Sequence, residues 1–490
     1  MNRFKTSWRR HSLRMVSSLS TGSRRVPTEP TEPTEPTEWL RPVVEDQSKP
    51  PRLYAWRLTN LADGANYVRK SPEVGEEPDP NDERRRIYIL GVGNIGRLYA
   101  IFLAKKDLRP PITLVVHRRE LLDKWEAHPG IELVRDGKVE QNSSFRIEWW
   151  TDTQPVHGPV REPGSGSGIN NLIVATKAPD AIPQVDRVRR YLGSGSTVAF
   201  TQNGMCKLWP PLGEDYVAAR FGAANKGLGP HWLACVTTHG VTSLGPFRSV
   251  HASPADVLVG SVMVPRSRNG VDRDGNDNDE DKKYINKDNY LAEQIVGAPG
   301  LNARKVATRE LWVAQLEKLV VNAVINPLTA VLRCKNGEVF KGREDGLGDV
   351  MEALVEEASR TLRALVAHHS SEGILLAQDE DERNNLESEG IAVSKLEKVR
   401  EDLLERFSSA RLRAMLDNVG AKVGANTSSM LQDVRAGKET EINDFNGWLV
   451  ETARYLGDEG GLPVHKKLIS LVVDGAQRSR GELIKELRVG

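Results

Sequence analysis

The sequence predicts an α/β chain: a domain built on a parallel sheet, then an all-α domain. Three observations carry this. Short apolar runs alternate with helix-like stretches over residues 85–302, a strand–glycine turn–helix signature opens that region, and helical periodicity takes over from 303 to 490. At 490 residues there is room for two domains with sizeable cores. Lys+Arg 68 against Asp+Glu 67 leaves a net charge of +1, so no global field points to nucleic acid or a membrane surface. The expected partner is a small molecule, with a monomer or a homodimer both open. Cys206, Cys235 and Cys334 are scattered, which gives neither a disulfide framework nor a zinc signature, so no metal is expected and a reducing compartment fits. No run of about 18 apolar residues is present to span a bilayer.

The first 25 residues carry Arg3, Lys5, Arg9, Arg10, Arg14, Arg24 and Arg25, with no acid before Glu29. Phe4, Trp8, Met15 and Leu19 fall on one side of a helical wheel, the pattern of a mitochondrial transit peptide. Without import, the same stretch reads as a basic tail in a cytoplasmic protein. Pro27 to Glu38 repeats Pro-Thr-Glu, an extended spacer rather than helix or central strand. Residues 1–40 are thus presequence and spacer, and 41–84 an extension ahead of the folded body.

The body begins with Arg86-Ile-Tyr-Ile-Leu90, followed by Gly91-Val92-Gly93-Asn94-Ile95-Gly96 and then Leu98, Tyr99, Ile101, Phe102 and Leu103 at helical spacing. That context makes the glycine pattern a Rossmann-type dinucleotide site. Gly91 permits the tight turn, Gly93 lets a pyrophosphate approach the backbone, Gly96 allows close helix–strand packing, and the helix N-terminus supplies N–H donors. The second strand, Ile112 to Val116, ends in His117-Arg118-Arg119. An arginine there suits a 2′-phosphate and argues for NADP(H), although Glu120 next in line offers a ribose acceptor. Asn171 to Ala175 is a buried strand ending at Thr176-Lys177, and Thr197 to Phe200 is another ending at Gln202-Asn203-Gly204. Lys177 and Asn203 would face the nicotinamide end of a cofactor from the carboxyl edge of the sheet. Trp232 to Val236, His239 to Leu244 and Val257 to Val262 read as strands extending this domain. Residues 266–289 are too polar to pack and form an insertion; their Asp/Asn/Gly run lacks the closing glutamate of a calcium loop.

The α-domain is organised around Trp312 to Thr329. Lys318, Asn322 and Asn326 stand at i, i+4 and i+8, within about 80° of one helix face. Leu316, Leu319, Val320, Ala323, Val324 and Ile325 occupy the rest, so the helix is buried and its lysine must be paired, reach solvent or line a cavity. Pro327 predicts an end or kink at Asn326. Val350 to Ala367, Val393 to Met415, Glu439 to Leu456 and His465 to Leu487 read as amphipathic helices. Residues 370–392 are a second polar insertion. Asn426 to Asn443, with Ser429, Asp433, Arg435 and Glu441, reads as loop plus helix cap.

Taken together, the glycine turn at 91–96, VVHR ending at Arg118, TK at 176–177, QNG at 202–204, KLVVNAVINPLTAV from Lys318 and SSMLQDVRAGKETEIN at 428–443 resemble the ketopantoate reductase (2-dehydropantoate 2-reductase) family. The resemblance runs from about 85 to 490, in the family's order. It implies that Lys318 is the catalytic lysine, that Asn203, Asn322, Asn326 and Ser429 bind substrate, and that Glu441 is a carboxylate near lysine and substrate. Lys177 would sit by the nicotinamide ribose, and the active site would lie in the cleft between a Rossmann-type domain and the all-α C-terminal domain. The stretch from His251 to Ala255 departs from the family in lacking the glycines that follow this histidine. The chemistry fits independently: a protonated lysine beside a ketone oxygen stabilises the charge that hydride transfer creates and donates the proton. Two rivals stand beside ketopantoate reduction in the coenzyme A pathway. One is a reductase of another 2-keto acid on the same scaffold. The other is a non-enzymatic mitochondrial protein that assists translation, which resembles this family but has no need of Lys318, the asparagines and Glu441.

Overall fold

The computed structural model describes residues 40–46, 48–61, 80–166, 168–210, 212–222, 229–262, 289–342, 345–377 and 389–488. The chain divides into two compact units, Met1–Glu35 and Pro36–Gly490, and every described residue lies in the second. The presequence and spacer readings, the core of the 266–289 insertion and residues 378–388 of the other lie outside the described residues.

Thirteen strands are described: β1 Tyr54–Trp56, β2 Ile87–Leu90, β3 Ile112–Val116, β4 Ile131–Arg135, β5 Lys138–Asn142, β6 Arg146–Thr151, β7 Asn171–Val174, β8 Thr197–Phe200, β9 His231–Thr237, β10 Gly240–Gly245, β11 Arg248–Ser253, β12 Val257–Ser261 and β13 Ala303–Lys305. Nine form one sheet in the order β1-β6-β3-β2-β7-β8-β9-β12-β13, parallel from β6 to β9. This is a doubly wound sheet whose order reverses beside β2, where a ligand crevice is expected. Both faces are covered. Tyr88 and Leu90 point into one apolar cluster, Ile87 and Ile89 into the other, so β2 reads as a continuous apolar run.

One reading of this half needs correction. Residues 40–61 are not an extension ahead of the body: β1 pairs antiparallel with β6 and becomes the sheet's edge, burying Leu53, Ala55 and Trp56. A three-residue strand is too short to announce itself by periodicity. The strand at 240–245 extends this domain, as read, but outside the main sheet. It pairs with β11 in a second sheet, β10-β11-β4-β5, that packs beside the Asn94–Leu103 helix.

The α-half is built on one 25-residue helix, Thr308–Leu332, with helices Leu347–Ala367, Ser429–Arg435, Pro463–Val473 and others packed round it. The Val393–Met415 and His465–Leu487 readings each resolve into two helices. The breaks fall between Arg406 and Ser409 and, with Gly475 at φ +65°, between Val473 and Arg480. Residues 370–377 and 389–392, assigned to the second insertion, carry helix Glu372–Leu376 and the start of helix Glu389–Arg406.

The expected break at Asn326 does not occur, because Pro327 lies inside a continuous helix. Proline has no N–H to offer the carbonyl four residues back, which leaves Ala323 O without a helical partner. Asn446 supplies the bond, its Nδ2 donating to Ala323 O at 2.9 Å. The amide is held in turn by His465, whose Nε2–H donates to Leu354 O at 3.1 Å while Nδ1 accepts from Asn446 at 2.8 Å. Burial lowers the His465 pKa to about 4, so the ring is neutral and this tautomer fixed. Asn446→Leu, which orphans Ala323 O and His465 Nδ1, is expected to cost about 2–4 kcal/mol in urea denaturation. Adding Pro327→Ala, which restores the backbone donor, should recover about 1 kcal/mol of it. No recovery would show that the amide acts elsewhere.

Candidate functional site

The glycine turn follows β2 directly. Gly91 sits at φ +98°, and a Cβ there would lie 2.8 Å from the Ala175 backbone, so both conformation and packing demand glycine. A Cβ at Gly96 would fall 2.1 Å from Gly91 O, whereas one at Gly93 would meet nothing within 4 Å. The turn thus closes on itself at Gly91 and Gly96 and leaves open space at Gly93, where the Asn94–Leu103 helix starts. These residues fit a dinucleotide diphosphate. Arg118 stands exposed just past β3, with no described partner fixing it. Arg119 lies with its guanidinium 5.7 Å from the Trp56 ring, so the added edge strand reaches this end of the crevice.

The loops after β7 and β8 are tied together: Gln202 Nε2 donates to Val174 O at 2.8 Å and to Thr176 O at 3.3 Å. Beyond them lies the long helix. Lys318 Nζ donates to Asn203 Oδ1 at 2.9 Å and to Thr237 O at 2.5 Å. The ammonium therefore sits where β8 and β9 end. Along the same stripe, Asn326 Nδ2 lies 3.5 Å from Asn322 Oδ1 and 3.4 Å from Ser429 Oγ, while Asn322 Nδ2 is buried without a hydrogen-bond partner. Ser428 caps the Ser429–Arg435 helix by accepting from Leu431 N, and it also bonds Thr329 on the long helix. That cap delivers Ser429 to the asparagines.

Glu441 falls elsewhere than expected. It forms no ion pair with Lys318 among the described residues; Oε2 is 3.8 Å from Lys177 Nζ and Oε1 accepts from Ala178 N at 3.2 Å. Lys177 also meets Asp433 Oδ2 at 2.5 Å. Glu441 therefore acts on Lys318 by its charge without bonding it: neutral oxygens take Lys318, and Lys177 takes the carboxylate. The two lysines titrate in opposite directions. Burial lowers Lys318 to about 8, against an upward pull from the Glu441 carboxylate. Burial also disfavours the Lys177 ammonium, but Glu441 and Asp433 outweigh it and raise its pKa.

The structure thus brings Asn203, Lys318, Asn322, Asn326 and Ser429 into one line, with Lys177 and Glu441 joined beside it. Sequence reasoning missed three contributors. Asp433 was one turn after Ser429 on the same helix face, a readable spacing. The Thr237 carbonyl leaves no sequence signal. Gln315, which accepts from Trp209 Nε1 at 2.6 Å and donates to Gly204 O at 3.2 Å, locks the QNG loop from one turn before Lys318.

A Rossmann-type sheet, a glycine turn shaped for a diphosphate and a half-buried lysine across the cleft define the class of two-part, dinucleotide-dependent oxidoreductases. Within that class, residues 87–263 match the family model described as ketopantoate reductase PanE/ApbA, and 310–474 match that of its C-terminal part. The chain belongs to the ketopantoate reductase family. It is 40% identical over 447 residues to a ketoisovalerate reductase of Gibberella fujikuroi, covering 89% of this chain and 95% of that one. A ketoisovalerate reductase of Beauveria bassiana is 37% identical, over 92% of this chain and 98% of that one. Among solved structures, a PanE/ApbA family ketopantoate reductase of Ralstonia eutropha shares the fold at TM-score 0.51 and 18% identity, over 80% of this chain and 98% of that one. Membership of an oxidoreductase family with this turn supports a nicotinamide cofactor.

The depressed Lys318 pKa carries a stability signature. Between about 8 and the ordinary 10.5 the unfolded chain holds this proton and the folded chain does not. Stability therefore rises with pH across that window and is flat, with respect to this group, below it. Urea melts of the parent and Lys318→Met should diverge as pH climbs through the window, the parent gaining on the variant. Parallel curves would mean that the ammonium is not desolvated.

Proposed function

We propose that the protein is an NADPH-dependent reductase of a branched 2-keto acid, with Lys318 as the general acid. The observation that carries it is the Lys318 ammonium, drawn down to about 8 and set at the ends of β8 and β9 next to Asn322, Asn326 and Ser429. The nicotinamide, when bound, supplies the hydride. Lys318 meets the developing charge on the ketone oxygen and gives that oxygen its proton, and a pKa near the working pH suits an acid that must be reloaded each cycle. Asn203 orients the ammonium. Asn326 and Ser429 bind the carboxylate end of the substrate without adding charge. Lys177, fixed by Asp433 and Glu441, lies toward the cofactor ribose.

The substrate follows from chemistry and relatives together. Ketoisovalerate and ketopantoate share the 2-keto acid head and differ by one hydroxymethyl group. Relatives at 40% and 37% identity are ketoisovalerate reductases, which favours the smaller acid. The unpartnered Asn322 Nδ2 favours the second reading, since a buried free donor can take the hydroxyl that ketopantoate alone possesses. NADPH oxidation by the purified chain with each acid in turn decides between them. A kcat/KM ratio well above one for ketoisovalerate supports the first reading; the reverse ratio, lost in Asn322→Ala, supports the second. No turnover of either acid would bring forward the translation-assisting alternative.

Lys318→Ala should lower kcat by about 10²- to 10⁴-fold while leaving the NADPH Kd near the parent value. The parent's kcat/KM should fall above pH about 8, as Lys318 loses its proton. A variant with near-full turnover would remove the lysine's role. For the cofactor, Arg118→Ala should cut the preference for NADPH over NADH by about ten-fold, since a charge-assisted contact to the 2′-phosphate is lost. Equal losses with both cofactors would assign Arg118 to general affinity instead.

A further inference from the structure

Four residues into the Asn94–Leu103 helix stands Arg97, only 7% exposed. Its Nε donates to Val92 O at 2.9 Å, inside the glycine turn. Its Nη1 donates to Gly245 O at 2.9 Å, Arg248 O at 2.6 Å and Ser249 Oγ at 3.0 Å, all on the second sheet. The fully buried Ser249 hydroxyl donates onward to Asn94 Oδ1 at 3.1 Å, and Asn94 Nδ2 reaches Val241 O at 3.3 Å. Two side chains of the helix's beginning thus fasten the turn to β10 and β11.

What this arrangement lacks is a counter-charge. Every bonded partner of Arg97 is a neutral oxygen, Nη2 donates to no described residue, and burial by itself lowers the pKa to about 10 with no carboxylate acting against it. A buried cation without an anion is costly, and carbonyl dipoles offset only part of that cost. The same few residues present the open space at Gly93 and the positive end of a helix. An anion bound at the turn would complete the set.

We propose that Arg97 is the counter-charge held in reserve for the diphosphate of the dinucleotide, and the positioning residue that sets the turn around it. This rests on the reading that the glycine turn takes a dinucleotide. Arg97 fixes Val92 through Nε and lends a full positive charge from beneath, where solvent screens it little.

The test is calorimetric titration of the full chain with NADP⁺, and separately with adenosine 2′-monophosphate, which lacks the diphosphate. Arg97→Gln keeps donors for the carbonyls but removes the charge; Arg97→Lys keeps the charge. R97Q should raise the NADP⁺ Kd by about ten-fold and flatten its dependence on salt. It should leave adenosine 2′-monophosphate binding unchanged, while R97K stays within about three-fold of the parent for NADP⁺. An unchanged R97Q affinity, or an equal loss for both ligands, overturns the assignment, because the latter marks general damage to the turn. Should R97Q fail to fold, R97K decides: a loss of about ten-fold or more overturns it. A parent chain that binds no dinucleotide removes the cofactor reading itself, a result distinct from failure of the arginine.

Discussion

The site depends on a helix that continues through a proline. The stripe of Lys318, Asn322 and Asn326 ends one residue before Pro327, and the proline removes the bond that would hold Ala323 O, inside that stripe. The bond is replaced from outside by Asn446, and Asn446 is aimed by a neutral His465 anchored on the Leu347–Ala367 helix. Three helices must therefore agree before the stripe can form. The π-type turn Asn443–Gly447 that carries Asn446 also carries Asp444, whose backbone carbonyl packs against Gly204 of the QNG loop. One irregular turn thus serves both the lysine helix and the loop that holds Asn203, which explains why an otherwise weak local geometry is kept.

Electrostatics divides the two lysines of the cleft by environment. Lys318 has neutral acceptors and a low pKa; Lys177 has two carboxylates and a raised one. Groups of one type pushed apart in pKa take different roles, one able to exchange a proton near neutrality and the other remaining a fixed charge. The Lys177 cluster also joins the loop after β7 to the Ser429–Arg435 helix and to Glu441. It therefore holds the sheet and the helices in register around the lysine that does the proposed chemistry.

Much of this was legible in the sequence because it rests on local rules. The glycine turn, β2, β3, β7 and β8, and the Lys318–Asn322–Asn326 spacing all follow from short-range pattern, and the structure places them as read. The misses are long-range. Nothing near Pro327 reveals that Asn446, more than a hundred residues later, repairs its missing bond. Nothing near Glu441 reveals that Lys177 is its partner, since both lysines lie far away along the chain and either assignment satisfies charge pairing. β1 escaped because three residues hold no period, and the second sheet that takes β10 could not be read because strand pairing is decided by neighbours in space. Asp433 differs: its helical spacing from Ser429 was visible, and only its partner was not.

The distribution of buried charge separates scaffold from site. Away from the cleft, cations with buried side chains meet anions: Arg57 with Glu148 at 2.8 Å, Arg86 and Arg146 with Glu83 at 3.0 and 3.1 Å, Arg189 and Arg220 with Asp186 at 2.7 and 2.9 Å. At the cleft Lys177 is paired in the same way, but Lys318 and Arg97 meet only neutral oxygens. An unpaired charge that folding alone had to accommodate would be replaced at little loss by a neutral residue. Its place at the two points where a diphosphate and a keto acid would arrive gives the cost a purpose. On the proposed reading, the anionic ligands complete these two cations. Affinity and catalysis then draw on the same stored imbalance, so a substitution that relaxes the apo chain at either cation weakens what the ligand gains on binding.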